Sequence, residues 1–222
     1  MPVTVDRKEL ARLMAREDAP VPSGVLEPLA CYLEMLCQWN ARMNLVGGRS
    51  WGDIWTRLVV DSFYLAAFLH DLPLPQAPRC WDLGAGAGLP GIPLRMAFDR
   101  GSHVLIEARQ KRALFLASVL RRISLPGTSV FHGRVEDFVP KQLPPHCIMS
   151  RAFMPWPELL ALTGPWLAPE GLVIIMAREA PPAALPAGWR LLSGRSYQAD
   201  GDERWLWAVT PAPDAAPTRE GA

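Results

Sequence analysis

Asp82-Leu83-Gly84-Ala85-Gly86-Ala87-Gly88-Leu89-Pro90-Gly91 is the stretch on which the fold turns. Cys80-Trp81-Asp82-Leu83 reads as a short buried strand running into it. Pro90 and Pro93 suit the first turn of a helix that runs to about Phe98. Glycines between a strand and a helix let the backbone turn tightly and come close to a ligand. Beyond this unit, apolar runs alternate with helical patterns. A strand over His103–Glu107 precedes a helix over Gln110–Ile123, and strands follow at Ser129–His132 and Cys147–Ser150. A helix spans Pro157–Leu167, its end disturbed by Gly164-Pro165, and Pro169-Glu170-Gly171 turns the chain into a strand over Leu172–Met176. Such alternation predicts βαβ units and a parallel sheet. Two last strands, Trp189–Tyr197 and Arg204–Thr210, flank Asp200-Gly201-Asp202 and read as an antiparallel hairpin. The expected fold is α/β, a mostly parallel seven-stranded sheet with this hairpin at its C-terminal side.

Upstream the chain reads as helical. A short amphipathic helix occupies the first 20 residues, and Ser23 is positioned to cap the next. In that second helix Val25, Leu29, Tyr32, Leu36, Trp39 and Met43 share one face, which predicts packing on the core. After Gly47-Gly48, Ser50 and Asp53 form a capping box, and the helix they open runs to about His70 before Pro73, Pro75 and Pro78 end it. Residues 1–78 are thus a helical extension, 79–210 the core, and the Pro/Ala-rich 211–222 a tail expected to be disordered.

Composition narrows the class. The 222 residues fit one large domain, and half are hydrophobic. No apolar run reaches the roughly 18 residues of a membrane helix, and Met1 to Glu17 shows no secretion signal. Cys31, Cys37, Cys80 and Cys147 lie far apart with no Cys-x-x-Cys pair, which argues against zinc or a disulfide framework and suits a reducing cytoplasm. Net charge is +1, so the chain is no polycation, although 20 of its basic residues are arginine and 3 lysine. A GC-rich genome accounts for that excess in bulk, and individual arginines are judged by position.

The glycine turn has a partner in Glu107, 23 residues after Gly84 at the end of the next strand. A carboxylate near the expected spacing of roughly 20 can accept both ribose hydroxyls of an adenosine. Asp82 stands two positions before the first glycine, where it would repel a pyrophosphate but can help hold the ammonium of a methionine group. Too little chain remains for the separate substrate domain of a dinucleotide enzyme. The run matches the Asp/Glu-x-Gly-x-Gly-x-Gly consensus of Rossmann-like class I methyltransferases without a gap, so S-adenosyl-L-methionine is the expected cofactor.

The turn continues as Gly88-Leu89-Pro90-Gly91-Ile92-Pro93-Leu94, which generic methyltransferases lack. Trp39-Asn40-Ala41-Arg42-Met43-Asn44-Leu45, Arg57 to Ser62, Lys111-Arg112 with Phe115-Leu116, Gly133-Arg134-Val135-Glu136, Ser150-Arg151-Ala152-Phe153 and Glu203-Arg204 follow in order. Together, over about residues 24 to 210, they resemble the bacterial 16S small-subunit rRNA guanine-N7 methyltransferase family called RsmG or GidB. That resemblance implies that Gly84 and Leu89 line the cofactor pocket beside Gly86 and Gly88. It implies also that Val135 and Glu136, with Arg134, flank the adenine, and that Arg151 sits beside the cofactor facing the substrate. It implies 16S rRNA or the small ribosomal subunit as partner, with the protein acting as a monomer. Three positions depart from the pattern: Leu58 stands in place of His, Ala177 in place of Lys, and Trp205 in place of His.

Guanine N7 carries a free lone pair, so its methylation requires no catalytic base. Alignment of N7 with the methyl group, about 3–3.5 Å away, suffices. His70, His103, His132 and His146 are scattered and form no nucleophile–base set. Asp61 is the polar residue of the second helical motif placed to contact guanine or cofactor. Arg57, Arg109, Lys111, Arg112, Arg151, Arg178 and Arg204 are the candidates for RNA, with Arg151 and Arg204 expected to face phosphate oxygens. Trp39, Trp51 and Trp55 are candidates to stack on a base, although the place of Trp39 on the apolar stripe favours the core. The same fold acting on another RNA or a small molecule, or a noncatalytic binding protein, are the rival readings. The cofactor reading predicts calorimetric binding of S-adenosylmethionine and S-adenosylhomocysteine and none of NAD or NADP. Tight NAD binding with no response to S-adenosylhomocysteine would end it.

Overall fold

A computed structural model describes residues 3–19, 21–48 and 50–213. The strands are β1 (Arg79–Leu83), β2 (Ser102–Glu107), β3 (Thr128–His132), β4 (Cys147–Ser150), β5 (Leu172–Ala177), β6 (Trp189–Ala199) and β7 (Asp202–Pro211). They form one sheet in the order β3-β2-β1-β4-β5-β7-β6. The first five are parallel, and β7 lies antiparallel to both β5 and β6. The sequence order reverses beside β1, between β2 and β4. Ligands of open parallel sheets bind outside the carboxyl ends of the strands at such a switch point.

Alternate side chains of the strands face opposite ways and feed two cores. Trp81, Leu83, Ile148, Val173, Ile175 and Trp207 pack one face with Val135, Phe138, Leu159 and Leu160 from the short helices α7 (Val135–Phe138) and α8 (Trp156–Thr163). Cys80, Leu105, Cys147, Met149, Ile174 and Ala208 pack the other. That second core is continuous with the helical extension, whose helices are α1 (Arg7–Arg16), α2 (Leu26–Met43), α3 (Trp51–Ile54) and α4 (Asp61–His70). Leu29, Tyr32 and Leu36 of the predicted stripe are fully buried, Val25 nearly so, and Trp39 and Met43 pack at its edge. Trp39 meets Phe115 of α6 (Gln110–Arg122) at a ring-centroid distance of 5.5 Å.

Three local expectations change. Ser23 does not cap α2; it opens a 3-10 turn, and α2 begins at Leu26 without a side-chain cap. The Ser50–Asp53 capping box forms in both directions, but the helix it opens is interrupted by a π-helical turn over Trp55–Val59 before α4. Pro211, assigned by sequence to the tail, is the last residue of β7 and pairs with Trp189, while 214–222 lie outside the described residues. Among the described residues no helix is long and apolar enough to cross a membrane.

The extension touches the glycine turn itself. The buried hydroxyl of Tyr32 on α2 donates to the carbonyl of Ala87 at 2.9 Å. Burial pushes that phenol far above its ordinary pKa, so it remains a donor. Tyr32→Phe leaves the Ala87 carbonyl without this donor and is expected to lower stability by about 1 kcal/mol. Urea denaturation checks this, and an unchanged midpoint would show that the contact contributes nothing.

Candidate functional site

Two adjoining hollows open at the carboxyl ends of the strands. The first, about 430 Å³, is lined by Gly84, Glu107, Arg109, Arg112, Val135 and Phe153, with Arg134, Glu136 and Ala152 at its walls. Its size falls within the roughly 300–1,000 Å³ of small-ligand clefts. The second, about 380 Å³, is lined by Arg57, Leu58, Asp61, Arg151, Ala152, Ala177, Arg178, Tyr197 and Arg204, with Asp200 and Asp202 at its mouth. Ala152, just past β4 and with φ of +55°, belongs to both walls.

The glycine turn is built from inside. Glu107 is buried, and its two oxygens accept from the backbone N–H of Gly86 at 2.8 Å and of Arg109 at 2.7 Å. These bonds fix the carboxylate at the edge of the first hollow. Gly84 has φ of +68°, and a Cβ there would lie 2.6 Å from the Phe153 ring. Gly91 lacks room for a side chain because Leu105 and Asp82 press on it, and a Cβ on Gly88 would strike Ile92. Gly84 therefore borders the hollow, whereas Gly86, Gly88, Leu89 and Asp82 are buried behind it.

Asp82 is fully buried, with Oδ2 accepting from Gly91 N at 3.1 Å and Oδ1 without a partner. Burial, chiefly, pushes its pKa up to about 7, with the nearby Glu107 charge adding to the effect. His103 lies under the same turn, buried, with both ring nitrogens unpartnered. Burial brings its pKa down to about 3, which keeps the ring neutral and outside any acid–base role near neutrality.

The second hollow is organised around Asp61, only 4% exposed. Its Oδ1 accepts from Arg204 Nη1 at 2.6 Å and from the Tyr197 hydroxyl at 3.0 Å, and Arg151 Nη2 lies 3.4 Å from Oδ2. The same two guanidinium groups also reach the π-helical turn: Arg151 donates to Leu58 O at 2.7 Å and Arg204 to Arg57 O at 3.1 Å. This changes one expectation. Arg204 is 8% exposed and turned to a carboxylate, not toward a phosphate at the surface. Arg151, expected beside the cofactor and facing the substrate, lines the second hollow, next to the Ala152 that both hollows share.

The other candidate arginines are partly or fully exposed. Arg57 stands 3.6 Å from Asp200 and Arg178 3.4 Å from Asp202, all four side chains exposed around the mouth. Arg112 borders the first hollow, with Lys111 and Arg109 beside it on the exposed start of α6. Arg134 and Glu136 pair at 3.7 Å on its outer wall, both exposed, while Val135 is buried. Trp55 is wholly buried and presents no face for stacking, while Trp51 is half-buried against the core. The departing residues Leu58 and Ala177 both line the second hollow, and Trp205 faces Ala177 across the β5–β7 pairing. Sequence reading gave no role to Phe153, Tyr197, Asp200 or Asp202. Phe153 carried a signal, a large apolar residue just past a strand end, and it is 38% exposed beside Gly84.

The model of the GidB family, described as rRNA small subunit methyltransferase G, matches residues 25–184. A protein named ribosomal RNA small subunit methyltransferase G from Nitratidesulfovibrio vulgaris is 51% identical over 210 residues, 94% of this chain and 96% of the relative. The protein of that name from Oleidesulfovibrio alaskensis is 42% identical over 200 residues, covering 86% of this chain and 87% of its own. Among solved structures, an O-methyltransferase from Bacillus cereus in complex with SAH aligns with a TM-score of 0.60 over 91% of this chain and 97% of that one. At 17% identity that likeness speaks for the fold alone.

The raised pKa of Asp82 has a stability consequence. Unfolded, the group ionises near 3.8; folded, it keeps its proton up to about 7. The native state therefore binds the extra proton between those values, and the Asp82 contribution to stability declines as pH rises from about 4 to about 7. Asp82→Asn, which keeps an acceptor for Gly91, is expected to lack that decline. Denaturant midpoints of both proteins from pH 4.5 to 8 should diverge with rising pH in favour of the variant. Parallel curves would refute the assignment.

Proposed function

The chain belongs to the rRNA small subunit methyltransferase G family, and from that premise we propose that it transfers the methyl group of S-adenosyl-L-methionine to N7 of a guanine in 16S ribosomal RNA. The observation that carries this reading is the shared wall at Ala152: a cleft fit for an adenosine adjoins a basic hollow fit for a base. Bound in the first, the cofactor supplies an electrophilic methyl on a sulfonium. The residues present suit it. Glu107 is a fixed carboxylate at the cleft for ribose hydroxyls, Gly84 leaves the backbone open, and the buried Asp82, expected to help hold an ammonium, braces the turn through Gly91 instead. Gly86, Gly88 and Leu89 hold the turn in shape, and Arg134, Val135 and Glu136 border the adenine side.

The second hollow suits a nucleophile that needs no deprotonation. It contains neither histidine nor cysteine, and its one buried carboxylate is engaged by two arginines and a tyrosine. The residues' work is then to hold guanine N7 in line with the methyl group and to exclude water. Arg57 and Arg178 at the mouth, with Lys111 and Arg112 beyond the cofactor cleft, are placed for phosphates. Their exposed pairs with Asp200 and Asp202 are of the kind worth only about 0–1 kcal/mol and give way readily. We propose also that it acts as a monomer, in the cytoplasm where the small subunit is made.

Labelled methyl transfer to deproteinised small-subunit RNA and to assembled particles tests the reading, with the product base identified by mass spectrometry. The expected product is N7-methylguanine in 16S rRNA. Label on another RNA, or at another atom, would favour the changed-substrate reading, and binding of S-adenosylmethionine with no transfer at all would favour a noncatalytic role.

A further inference from the structure

Asp61 is the one buried carboxylate of the second hollow, and it is enclosed by donors from three strands or strand ends. Arg151 follows β4, Tyr197 belongs to β6 and Arg204 to β7. Each arginine is held twice, once by Asp61 and once by a carbonyl of the π-helical turn just ahead of it. Four acceptor sites (Arg57 O, Leu58 O and the two oxygens of Asp61) thus come from five consecutive residues of the extension. A guanidinium fixed at two points loses its rotamer freedom, and its remaining N–H groups then point in set directions. π-Helical turns concentrate at functional sites, and this one puts two carbonyls within reach of the arginines that line the hollow.

Charge argues in the same direction. Methylation turns guanine into a cation, and two bare guanidinium groups in the wall would oppose it. Asp61 supplies a negative charge between them. Direct use of Asp61 as a base or as a ligand to guanine conflicts with its burial and with its three engaged partners.

We propose that Asp61 is a positioning residue for methyl transfer, which acts by fixing and neutralising Arg151 and Arg204 so that their free N–H groups orient the target base. The proposal rests on the methyltransferase reading above and deepens it. Asp61→Asn keeps the shape and an acceptor but removes the charge. The expected result is a fall in kcat of tenfold or more, with KM for RNA and calorimetric affinity for S-adenosylhomocysteine within threefold of wild type. Guanidinium 15N–13C NMR gives a readout independent of activity. The Arg151 and Arg204 Nη signals should be resolved and slowly exchanging in wild type, and averaged in Asp61→Asn. An unchanged kcat would overturn the proposal. So would a fall in kcat with both guanidinium signals still ordered, because Asp61 would then act on the base directly. Should Asp61→Asn fail to fold, Asp61→Asn with Arg204→Gln removes one charge of each sign and is read through Arg151. Wild-type protein that transfers no methyl group to rRNA would sink the function reading, and the guanidinium signals would still judge the role of Asp61.

Discussion

A carboxylate taken out of water needs compensation, and Asp61 receives it from both sides of the molecule. Moving one ion into a protein interior costs several kcal/mol after relaxation, and a partner restores this only with good geometry and further hydrogen bonds. Here the geometry joins the helical extension to β4, β6 and β7, elements that are far apart in sequence. Where the extension closes onto the sheet beside the second hollow, that carboxylate is seated between two guanidinium groups. Tyr32 makes a similar link at the other end, where its hydroxyl meets the glycine turn. The extension is therefore a wall of the second hollow, braces the glycine turn behind the first, and shares its core with the sheet.

Around this buried centre the ion pairs grade outward. Arg204 and Asp61 are nearly sealed, Arg151 is partly open, and Arg57–Asp200 and Arg178–Asp202 stand in solvent. Screening weakens the outer pairs and leaves the inner one almost untouched. Such a gradient suits a surface that must release its arginines to a polyanion at the rim while it keeps a fixed geometry within. It also explains how a chain of net charge +1 can present cations to RNA: its basic residues are arranged locally and balanced by acids from the β6–β7 turn.

Methylation at N7 places few demands on acid–base groups. His103, the most buried histidine, is held neutral by its surroundings, and the four cysteines are free. Asp82 is a buried carboxyl whose ionisation the fold resists up to about neutrality, and its second oxygen is sealed behind the glycine turn.

Sequence by itself determined the strands, their order of appearance, the strand–glycine–helix unit and the carboxylate of Glu107. All of these are written in contiguous runs whose spacing obeys local geometry. Its motifs also marked Val135, Arg151 and Asp61 as candidates, and these line the two hollows. Only the tertiary structure decided what each charge faces. Three arginines, Arg95, Arg151 and Arg204, look alike in sequence, yet Arg95 is buried against loop carbonyls while the other two share a carboxylate 90 or more residues upstream. The π-helical turn was likewise hidden, because Trp55–Val59 has the apolar pattern of an ordinary helix and its widening is tied to contacts from β4 and β7. Local periodicity records which side of an element is apolar. The partner of a buried charge is fixed by which distant elements arrive beside it, and that is settled only when the sheet and the extension pack together.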